Sequence, residues 1–400
     1  MQLLDFLLKA IEYSVYGYFA ISSLYVFVFS VAGNFYKRRR REGSITKNKI
    51  ALLIPAYKED AVIVEVSKHA LQQHYPSNMY DVVVIADSLH KNTIIKLKEL
   101  PIKLVEVSFE KSTKAKALNS AMATLKDHYD HAIILDADNI MEPEFLNKMN
   151  AAFEGGYQIV QGHRKAKNLN TSFAILDAAS EEINNHIFRK GHSVLGLSSG
   201  LIGSGMGFEY GLLKSMMKTV NAVGGFDKEL EFKFAAEKIK IEYLDDAVVL
   251  DEKIQKASDF SNQRKRWLST QFIYLKKYFI ESCRALLFDG NVNFFDKAFQ
   301  MMIPPRILLI GITFLFALGY VILSILFKIN TNVSADLWFI NLGITVIAFL
   351  LAIPKTFYNL ETLKAIFSLP SAFIRMTILL FKLKGANNKF IHTAHGTIEN

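Results

Sequence analysis

Three long apolar runs constrain the fold of this chain more than any other feature. The first occupies residues 14–34, and two more lie toward the other end of the chain, at about 304–327 and 336–354. A helix of about 20 apolar residues is long enough to cross the hydrocarbon core of a bilayer. We therefore predict an integral membrane protein with three spans.

Basic residues beside these spans predict their orientation. The run Lys37–Arg41 follows the first span directly, and further lysines and arginines follow residue 354. Because cytoplasmic flanks carry the excess of Lys and Arg, we expect residues 37–303 in the cytosol and the protein in the plasma (inner) membrane. A cleaved leader is not indicated, since the charge follows the apolar run and no small-residue cleavage site stands out.

Composition varies along the 400 residues. A mean hydropathy of +0.18 is too apolar for an ordinary soluble enzyme, and 21% charged residues are too many for a pure membrane bundle. We predict four segments: an N-terminal membrane helix with its basic flank (1–41), a cytosolic domain (42–275), amphipathic interface helices (276–303), and membrane helices with a cytosolic tail (304–400). Residues 360–383 mix apolar runs with lysines and Pro370, which predicts a broken interfacial helix, with a fourth span as the alternative.

Several classes of function are excluded by composition and motif. The net charge of +9 is largely explained by Lys and Arg beside the membrane segments, and no aromatic-interleaved basic motif suggests nucleic-acid binding. The single cysteine, Cys283, excludes an intramolecular disulfide and fits a reducing cytosol. There is no GxGxxG or GxxxxGK[ST] motif, so neither a dinucleotide fold nor a P-loop is supported.

The region from residue 49 to about 250 alternates short β-type runs with helical stretches, which predicts an α/β fold. We predict strands at 49–54, 81–86 and 102–107, and helices at about 60–73 and 114–125. Functional residues of open α/β sheets gather beyond the carboxyl ends of the strands. Three predicted strand ends carry acidic residues, namely Glu59, Asp87 and the pair at 136–138.

An Asp-Ala-Asp sequence ends the apolar strand that begins at His131. Side chains two apart on a strand point to the same side, so Asp136 and Asp138 can converge on one divalent cation. A cation at this position can neutralise a nucleoside diphosphate as it leaves. A solvated strand-to-loop turn is the alternative, because Asp is common in turns.

Six motifs occur in order: IPAYKED (54–60), VIAD (84–87), KAKALN (114–119), LDADN (135–139), GSGMGF (203–208) and QRKRW (263–267). Together they resemble the membrane-bound family 2 glycosyltransferases, which have a GT-A, Rossmann-like catalytic domain. That family includes cellulose, hyaluronan and other exopolysaccharide synthases and ceramide glucosyltransferase. The resemblance covers about residues 49–270, and GSGMGF is most similar to the exopolysaccharide transferases related to methanolan synthesis.

The resemblance implies that the donor is a nucleotide-sugar, with a UDP-sugar expected. Ala56 and Glu59 would lie against the ribose and base, and Asp87 would accept the N–H of the uracil ring. Lys114 would face the diphosphate and matches the family better than Lys116. The alternatives are that Asp87 caps the next helix and that Lys114 lies on a solvated helix face.

The resemblance also implies a cation centre and a general base. Asp138 would be the direct metal ligand, with Asp136 beside it, and the ion would be Mg²⁺ or Mn²⁺. The family usually carries Thr-Glu-Asp-Leu-Glu, in which Asp takes the proton from the acceptor hydroxyl. Here we align that motif with residues 227–231, so Glu229 occupies the base position. Asp227 and Glu231 are the alternatives.

One helix is expected to close the active site. Gln263, Arg266 and Trp267 lie three and four residues apart, on one helix face. The family resemblance implies that they lie beneath the acceptor and contact the donor diphosphate. An amphipathic helix anchored at the membrane surface is the alternative for the same residues. Ser204, with Gly205 and the preceding glycine, would let the backbone approach the acceptor closely.

We therefore expect an inverting, metal-dependent transfer of a sugar to a hydroxyl acceptor, catalysed by Glu229, Asp138 and Arg266. The acceptor would belong to exopolysaccharide or cell-surface polysaccharide synthesis, with a membrane lipid as the close alternative. Membrane lipids are expected partners and nucleic acid is not. A non-catalytic scaffold that binds nucleotide-sugar is the alternative from another class, motivated by Glu at position 229.

Overall fold

The computed structural model describes residues 2–38, 46–126, 128–222, 224–253, 257–329 and 331–383. Our predictions for the rest of the basic run and for the tail beyond residue 383 lie outside these ranges. Eight strands in the described part form one sheet: β1 (Ile50–Tyr57), β2 (Tyr80–Asp87), β3 (Lys103–Val107), β4 (His131–Ile134), β5 (Ile140–Met141), β6 (Ile159–Ala166), β7 (Met206–Glu209) and β8 (Ile241–Asp251).

The sheet is mixed, with the order β3-β2-β1-β4-β7-β6-β8-β5. Strands β1 to β4 pair in parallel, so their carboxyl ends lie at one edge. Strand β7 then runs antiparallel to both β4 and β6, which brings the loop before β7 to the end of β4. The predicted α/β fold is confirmed, and this edge is where the acidic strand ends meet.

Strand β1 is longer than predicted: it does not stop at Pro55 but continues to Tyr57. Proline lacks the amide hydrogen that a central strand needs. Strand β4 pairs with β1 only from Ile50 to Leu53, while β2 pairs along the whole of β1. Beyond Leu53, β1 therefore has a strand partner on one side only, and Pro55 is tolerated there opposite Ile85.

Helices cover both faces of the sheet, as the alternation along β1 requires. Ile50, Leu52 and Ile54 are buried on one face, whereas Ala51 and Leu53 are buried on the other. The first face packs against α2 (Ile63–Ala70), α3 (Lys91–Lys98) and α5 (Phe145–Glu154); the second packs against α4 (Lys114–Thr124), α8 (Tyr210–Met217) and α9 (Phe226–Ala236). A strand buried on both faces explains the continuous apolar run in the sequence.

The remaining elements are mostly helical. They are α1 (Gln2–Gly33), α6 (Ser172–Asn185), a π-helical turn (His186–Gly191), α7 (His192–Val194), α10 (Ala257–Asp289), α11 (Val292–Met302), α12 (Arg306–Ile325), α13 (Ala335–Ala352), a 3₁₀ turn (Lys355–Phe357), α14 (Leu360–Ile366) and α15 (Leu369–Leu380). The segment boundary that we predicted between residues 275 and 276 falls inside α10. The segments predicted at 42–275 and 276–303 therefore share one continuous helix.

Three helices of the described chain, α1, α12 and α13, are long and apolar enough to cross a membrane. Helices α14 and α15 meet this criterion only when taken together as a pair bent by 43°. The three qualifying helices agree with the three predicted spans, and the bent pair agrees with the fourth span that we gave as an alternative. Helix α1 begins at Gln2, well before residue 14, where the predicted apolar span starts.

Helix α1 packs tightly against the π-helical turn and α13. A Cβ atom on Gly191 would lie 2.2 Å from the backbone oxygen of Phe29, so only glycine permits this approach. On another side of α1, the Ser23 and Thr345 hydroxyls are 2.7 Å apart, a small polar contact of the kind that joins helices in membranes. The apolar helix α1 is therefore fixed directly to the α/β domain.

We predict that Gly191→Ala destabilises the protein, because the added methyl group must push α1 away from the π-helical turn. Overpacking of this kind costs about 1–3 kcal/mol. The matched control is Gly17→Ala on α1, where an added methyl group would meet no heavy atom within 4 Å. Thermal unfolding of the two purified variants in detergent checks this, and equal midpoints would contradict the packing described.

Candidate active site

The side chain of Lys114 joins three separate segments at the carboxyl edge of the sheet. Its ammonium group donates to Asp136 Oδ1 and, at 2.7 Å, to the carbonyl oxygen of Gly203. It also lies 5.1 Å from the centre of the Phe226 ring, at the start of α9. Lys114 is held in place because α4 begins there, capped by the hydroxyl of Thr113. The side chain of Lys114 therefore does not lie on a solvated helix face, which was the alternative.

The GSGMGF loop lies directly against the end of β4. The backbone amide of Asp136 donates to Ser204 Oγ at 2.9 Å, and this hydroxyl donates to Asn139 Oδ1 at 3.2 Å. Gly203 has a φ of +86°, a conformation that favours glycine and that aims its carbonyl at Lys114. Asp136 and Ser204 are 68 residues apart in sequence, yet their two motifs form one hydrogen-bonded unit.

Asp138 and Asp136 supply only oxygen donors for a metal ion. Asp138 is 8% exposed, whereas Asp136 is more open and is bound to Lys114. No group of three or more His, Cys, Asp or Glu suited to a metal occurs in the part of the chain that the structure describes. This donor set fits a hard cation that shares its ligands with substrate phosphates, as Mg²⁺ commonly does.

The three acidic residues near the start of α9 face different surroundings. Asp227 lines a cavity, and its carboxylate oxygen lies 3.8 Å from the point where a Cβ on Gly203 would be. Burial raises the pKa of Asp227 above its ordinary value, with the nearby ammonium groups of Lys228 and Lys114 opposing the shift. Of these three residues, Asp227 is the one that lines the cavity as the structure describes it.

Glu229 is directed elsewhere. Its carboxylate accepts from Lys277 Nζ at 2.8 Å, and it is not among the residues that line the cavity. Residues two apart on a helix do not face the same side, so Asp227 and Glu229 cannot both point into it. Glu231 does lie on the Asp227 side, but it is buried and bound by Lys228 at 2.7 Å and by Lys297 at 3.2 Å.

The cavity has a volume of about 490 Å³ and extends from the sheet edge to the apolar helices. Lys114, Gly203 and Asp227 line one part of it. Val26 of α1 and Met376 of α15 line another part. The cavity therefore connects the candidate catalytic groups with α1, which is long and apolar enough to cross a membrane, and with α15, which meets this criterion only together with α14.

Helix α10 brings Gln263, Arg266 and Trp267 to the same cavity, as their spacing predicted. The Oε1 atom of Gln263 is buried and accepts no hydrogen bond from the residues that the structure describes. Burial lowers the pKa of Arg266. Trp267 is 41% exposed, and the guanidinium of Arg264 lies 4.4 Å from the centre of its ring. The helix thus presents polar and aromatic groups to whatever enters the cavity.

The predicted donor-base residues lie at the adjacent ends of β1 and β2. Ala56 is paired in register with Ala86, and Asp87 is 2% exposed. The hydroxyl of Ser88 donates to Asp87 Oδ1 at 2.9 Å. Glu59 lies two residues beyond the end of β1. Asp87 is not the cap of the next helix, because the N-cap residue of α3 is His90.

Gly205 does not line the cavity, in contrast to Gly203. Its carbonyl accepts from the amide of Gly162 at 2.8 Å, and it holds β6 and the GSGMGF loop together. The sequence did not single out Arg164, Arg189 or Arg306, which line the cavity as well. Arg306 had a signal, a charge at the edge of an apolar run, but we interpreted the residue as part of a span.

Comparison with known families gives a match to glycosyltransferase-like family 2 over residues 47–270, more than half of the chain. The chain belongs to this family. This glycosyltransferase carries the six motifs within the matched region. Comparison with curated proteins gives no match.

Comparison with solved structures supports the fold. The mannosyltransferase PcManGT from Pyrobaculum calidifontis, in complex with GDP-Man and Mn²⁺, aligns with a TM-score of 0.55 at 15% identity, covering 86% of this chain and 97% of that chain. S. aureus TarS in complex with UDP-GlcNAc aligns with a TM-score of 0.40 at 15% identity, covering 82% and 92%. The first of these likenesses shows a GT-A-like fold for the glycosyltransferase.

We predict that Lys114→Met lowers sugar-transfer activity by at least about tenfold and also lowers the unfolding temperature. The change leaves Asp136 and the Gly203 carbonyl without their donor, and a stranded polar group costs about 1–3 kcal/mol. Lys116→Met is the matched control, since Lys116 bonds only to the carbonyl of Lys111 among the contacts described. Nucleoside diphosphate release and thermal unfolding measure both effects, and equal losses in the two variants would contradict the assignment.

Proposed function

We propose that this protein is a membrane-embedded, inverting, metal-dependent glycosyltransferase that moves a sugar from a UDP-sugar to a hydroxyl acceptor. The acceptor would belong to exopolysaccharide or cell-surface polysaccharide synthesis. One observation carries the proposal: Lys114 links the Asp136 strand end to the Gly203 loop, and Asp227 faces that loop within a cavity. A base and groups for the leaving diphosphate are thereby close together.

We propose Asp227, and not Glu229, as the general base. Its cavity position allows hydrogen-bond reach to an acceptor hydroxyl, which is the first requirement for proton removal. The hydroxyl oxygen attacks the anomeric carbon, its proton passes to Asp227, and the bond from that carbon to the diphosphate oxygen breaks. A single displacement of this kind inverts the anomeric centre and forms no covalent enzyme intermediate.

Cationic side chains would stabilise the leaving group. Lys114 and Arg266 both line the cavity, and fixed positive groups in a water-poor site stabilise charge that develops on a phosphate oxygen. Asp138, with Asp136 beside it, would hold Mg²⁺ or Mn²⁺, which when bound neutralises charge on the diphosphate. The Mn²⁺ named with PcManGT is consistent with such a site in this fold.

Residues at the ends of β1 and β2 support the choice of donor, and the cavity wall supports a second candidate acceptor. Asp87, with Ala56 and Glu59 beside it, supports recognition of a uracil base, since an ionised carboxylate accepts the ring N–H. A lipid acceptor is a second candidate, favoured by the apolar wall that Val26 and Met376 give the cavity. The non-catalytic scaffold was motivated by Glu at position 229 in place of the family's Asp, and the proposal of Asp227 as the base removes that motivation.

We predict that Asp227→Asn lowers turnover by about 10²–10⁴-fold, the usual contribution of a general base. The matched variant Glu229→Gln is expected to retain turnover within a few-fold, since its side chain contacts Lys277 outside the cavity wall. Release of nucleoside diphosphate, measured over a panel of UDP- and GDP-sugars with the purified protein, checks both. Loss of turnover in Glu229→Gln with full turnover in Asp227→Asn would overturn the assignment.

The pH dependence of kcat/KM gives a further prediction. Asp227 acts as a base only when ionised, so activity is lost as the pH falls through its pKa. Because burial raises that pKa, we expect the acid limb to lie above the value of about 3.9 that is ordinary for Asp. A profile that stays flat down to about pH 4, recorded where the protein is still folded, would contradict this.

A further inference from the structure

The wall of the cavity is strongly basic. Seven Lys or Arg side chains line it, against two carboxylates, and most of the basic groups have an acidic partner. The ion pairs are Lys114 with Asp136, Arg164 with Glu181, Lys228 with Glu231, and Arg264 with Asp177. These pairs include four of the seven basic side chains, and the other three are Arg189, Arg266 and Arg306.

Two arginines of the wall have neutral partners instead. Arg306 donates to Asn184 Oδ1 and to Ser180 Oγ. Arg189 donates to Asn185 Oδ1 at 2.9 Å and to the carbonyl of Gly200 at 3.1 Å. Within the ranges that the structure describes, no carboxylate lies within 4.0 Å of either guanidinium. Their amide partners are consecutive residues at the end of α6, and both arginines line the same cavity.

Acidic side chains act on these arginines only at longer range, Glu181 and Glu231 on Arg189, and Glu181 and Asp177 on Arg306. Arg189 is only 4% exposed, and burial lowers its pKa. A buried charge of this kind is strongly destabilising unless another group compensates it. The guanidinium fork matches the oxygen atoms of phosphate, and two forks in the wall of one cavity suit a group with several oxygens and more than one negative charge. The site therefore has the chemistry of a phosphate-binding site.

An apolar wall adjoins this site. Val26, Ile307 and Met376 line the same cavity and belong to α1, α12 and α15. Arg306 is the first residue of α12, an apolar helix of 20 residues that is long enough to cross a membrane. The basic and apolar walls thus meet where that helix begins, which is the arrangement that an amphiphile at a membrane surface requires.

Building on the proposed function, we infer that the acceptor hydroxyl is carried by a membrane amphiphile whose phosphate headgroup binds Arg306 and Arg189. Its hydrocarbon chain lies between Val26, Ile307 and Met376. The hydroxyl attacks the anomeric carbon, Asp227 takes the proton, and the nucleoside diphosphate leaves, so the phosphate headgroup itself is unchanged. A lipid-linked saccharide in surface-polysaccharide synthesis has this chemistry.

Binding of labelled dodecyl phosphate to the full-length protein in an uncharged maltoside detergent tests the inference without requiring turnover. We expect Arg306→Gln to weaken binding by at least about tenfold, since a charge-assisted pair is lost. Arg306→Lys keeps the charge but not the planar fork, so it should restore only part of the binding. Lys355→Gln, an exposed basic residue just beyond α13, is the matched control and should bind as the wild type does.

Competition distinguishes the source of the phosphate. Unlabelled dodecyl phosphate should displace the label, whereas inorganic phosphate or dodecanol at the same concentration should not. Equal competition by inorganic phosphate would overturn the inference in favour of a soluble anion, and equal competition by dodecanol would overturn it in favour of a purely apolar groove. Unchanged binding in Arg306→Gln would also overturn it.

Two further measurements separate folding and activity from binding. Should Arg306→Gln lower the unfolding temperature, Arg189→Gln replaces it, with the same expected loss of binding. Donor turnover is recorded on the same preparations. Turnover without Arg306-dependent binding of dodecyl phosphate would refute this inference alone, whereas such binding without turnover of any nucleotide-sugar would refute the proposed function and leave the phosphate site established.

Discussion

The ammonium group of Lys114 is the interaction on which the site depends. It binds the Asp136 carboxylate at the end of β4 and the carbonyl of Gly203 in the loop before β7, and it lies against the Phe226 ring at the start of α9. Each of these segments ends or turns at this point. A single cation binds polar groups of two of them and contacts the ring of Phe226, the residue that directly precedes Asp227.

The rest of the fold brings this centre beside helices that are long and apolar enough to cross a membrane. The π-helical turn after α6 packs on α1 through Gly191, and it also presents Arg189 to the cavity. Helix α10 continues from the cavity wall past the predicted end of the catalytic domain, and α15 packs against it and α12. Apolar helices and the proposed catalytic residues therefore share one cavity, which is the physical reason to look for an acceptor that is itself amphiphilic.

Much of this could be predicted from sequence because its causes are local. Apolar runs of sufficient length predict the spans, and the carboxyl ends of parallel strands must share an edge, so Asp87 and Asp136 had to be near each other. The base could not be assigned in this way. Whether Asp227 or Glu229 faces the cavity depends on the rotation of α9, which is set by the left-handed turn at Gly225 and the buried Phe226. Likewise, Arg306 contacts Asn184 and Ser180 of α6, which are 122 and 126 residues away in sequence, and these contacts could not be predicted from the sequence.

A double-mutant cycle on Lys114 and Asp136 tests the central claim most directly. The kcat/KM for sugar transfer is measured for the wild type, for Lys114→Met, for Asp136→Asn and for the double variant, and each ratio is converted to a free energy. If the ion pair organises the catalytic centre, the two changes are far from additive, with a coupling energy of about 1–3 kcal/mol. Additivity to within about 0.5 kcal/mol would show that the two residues act independently and would contradict this account.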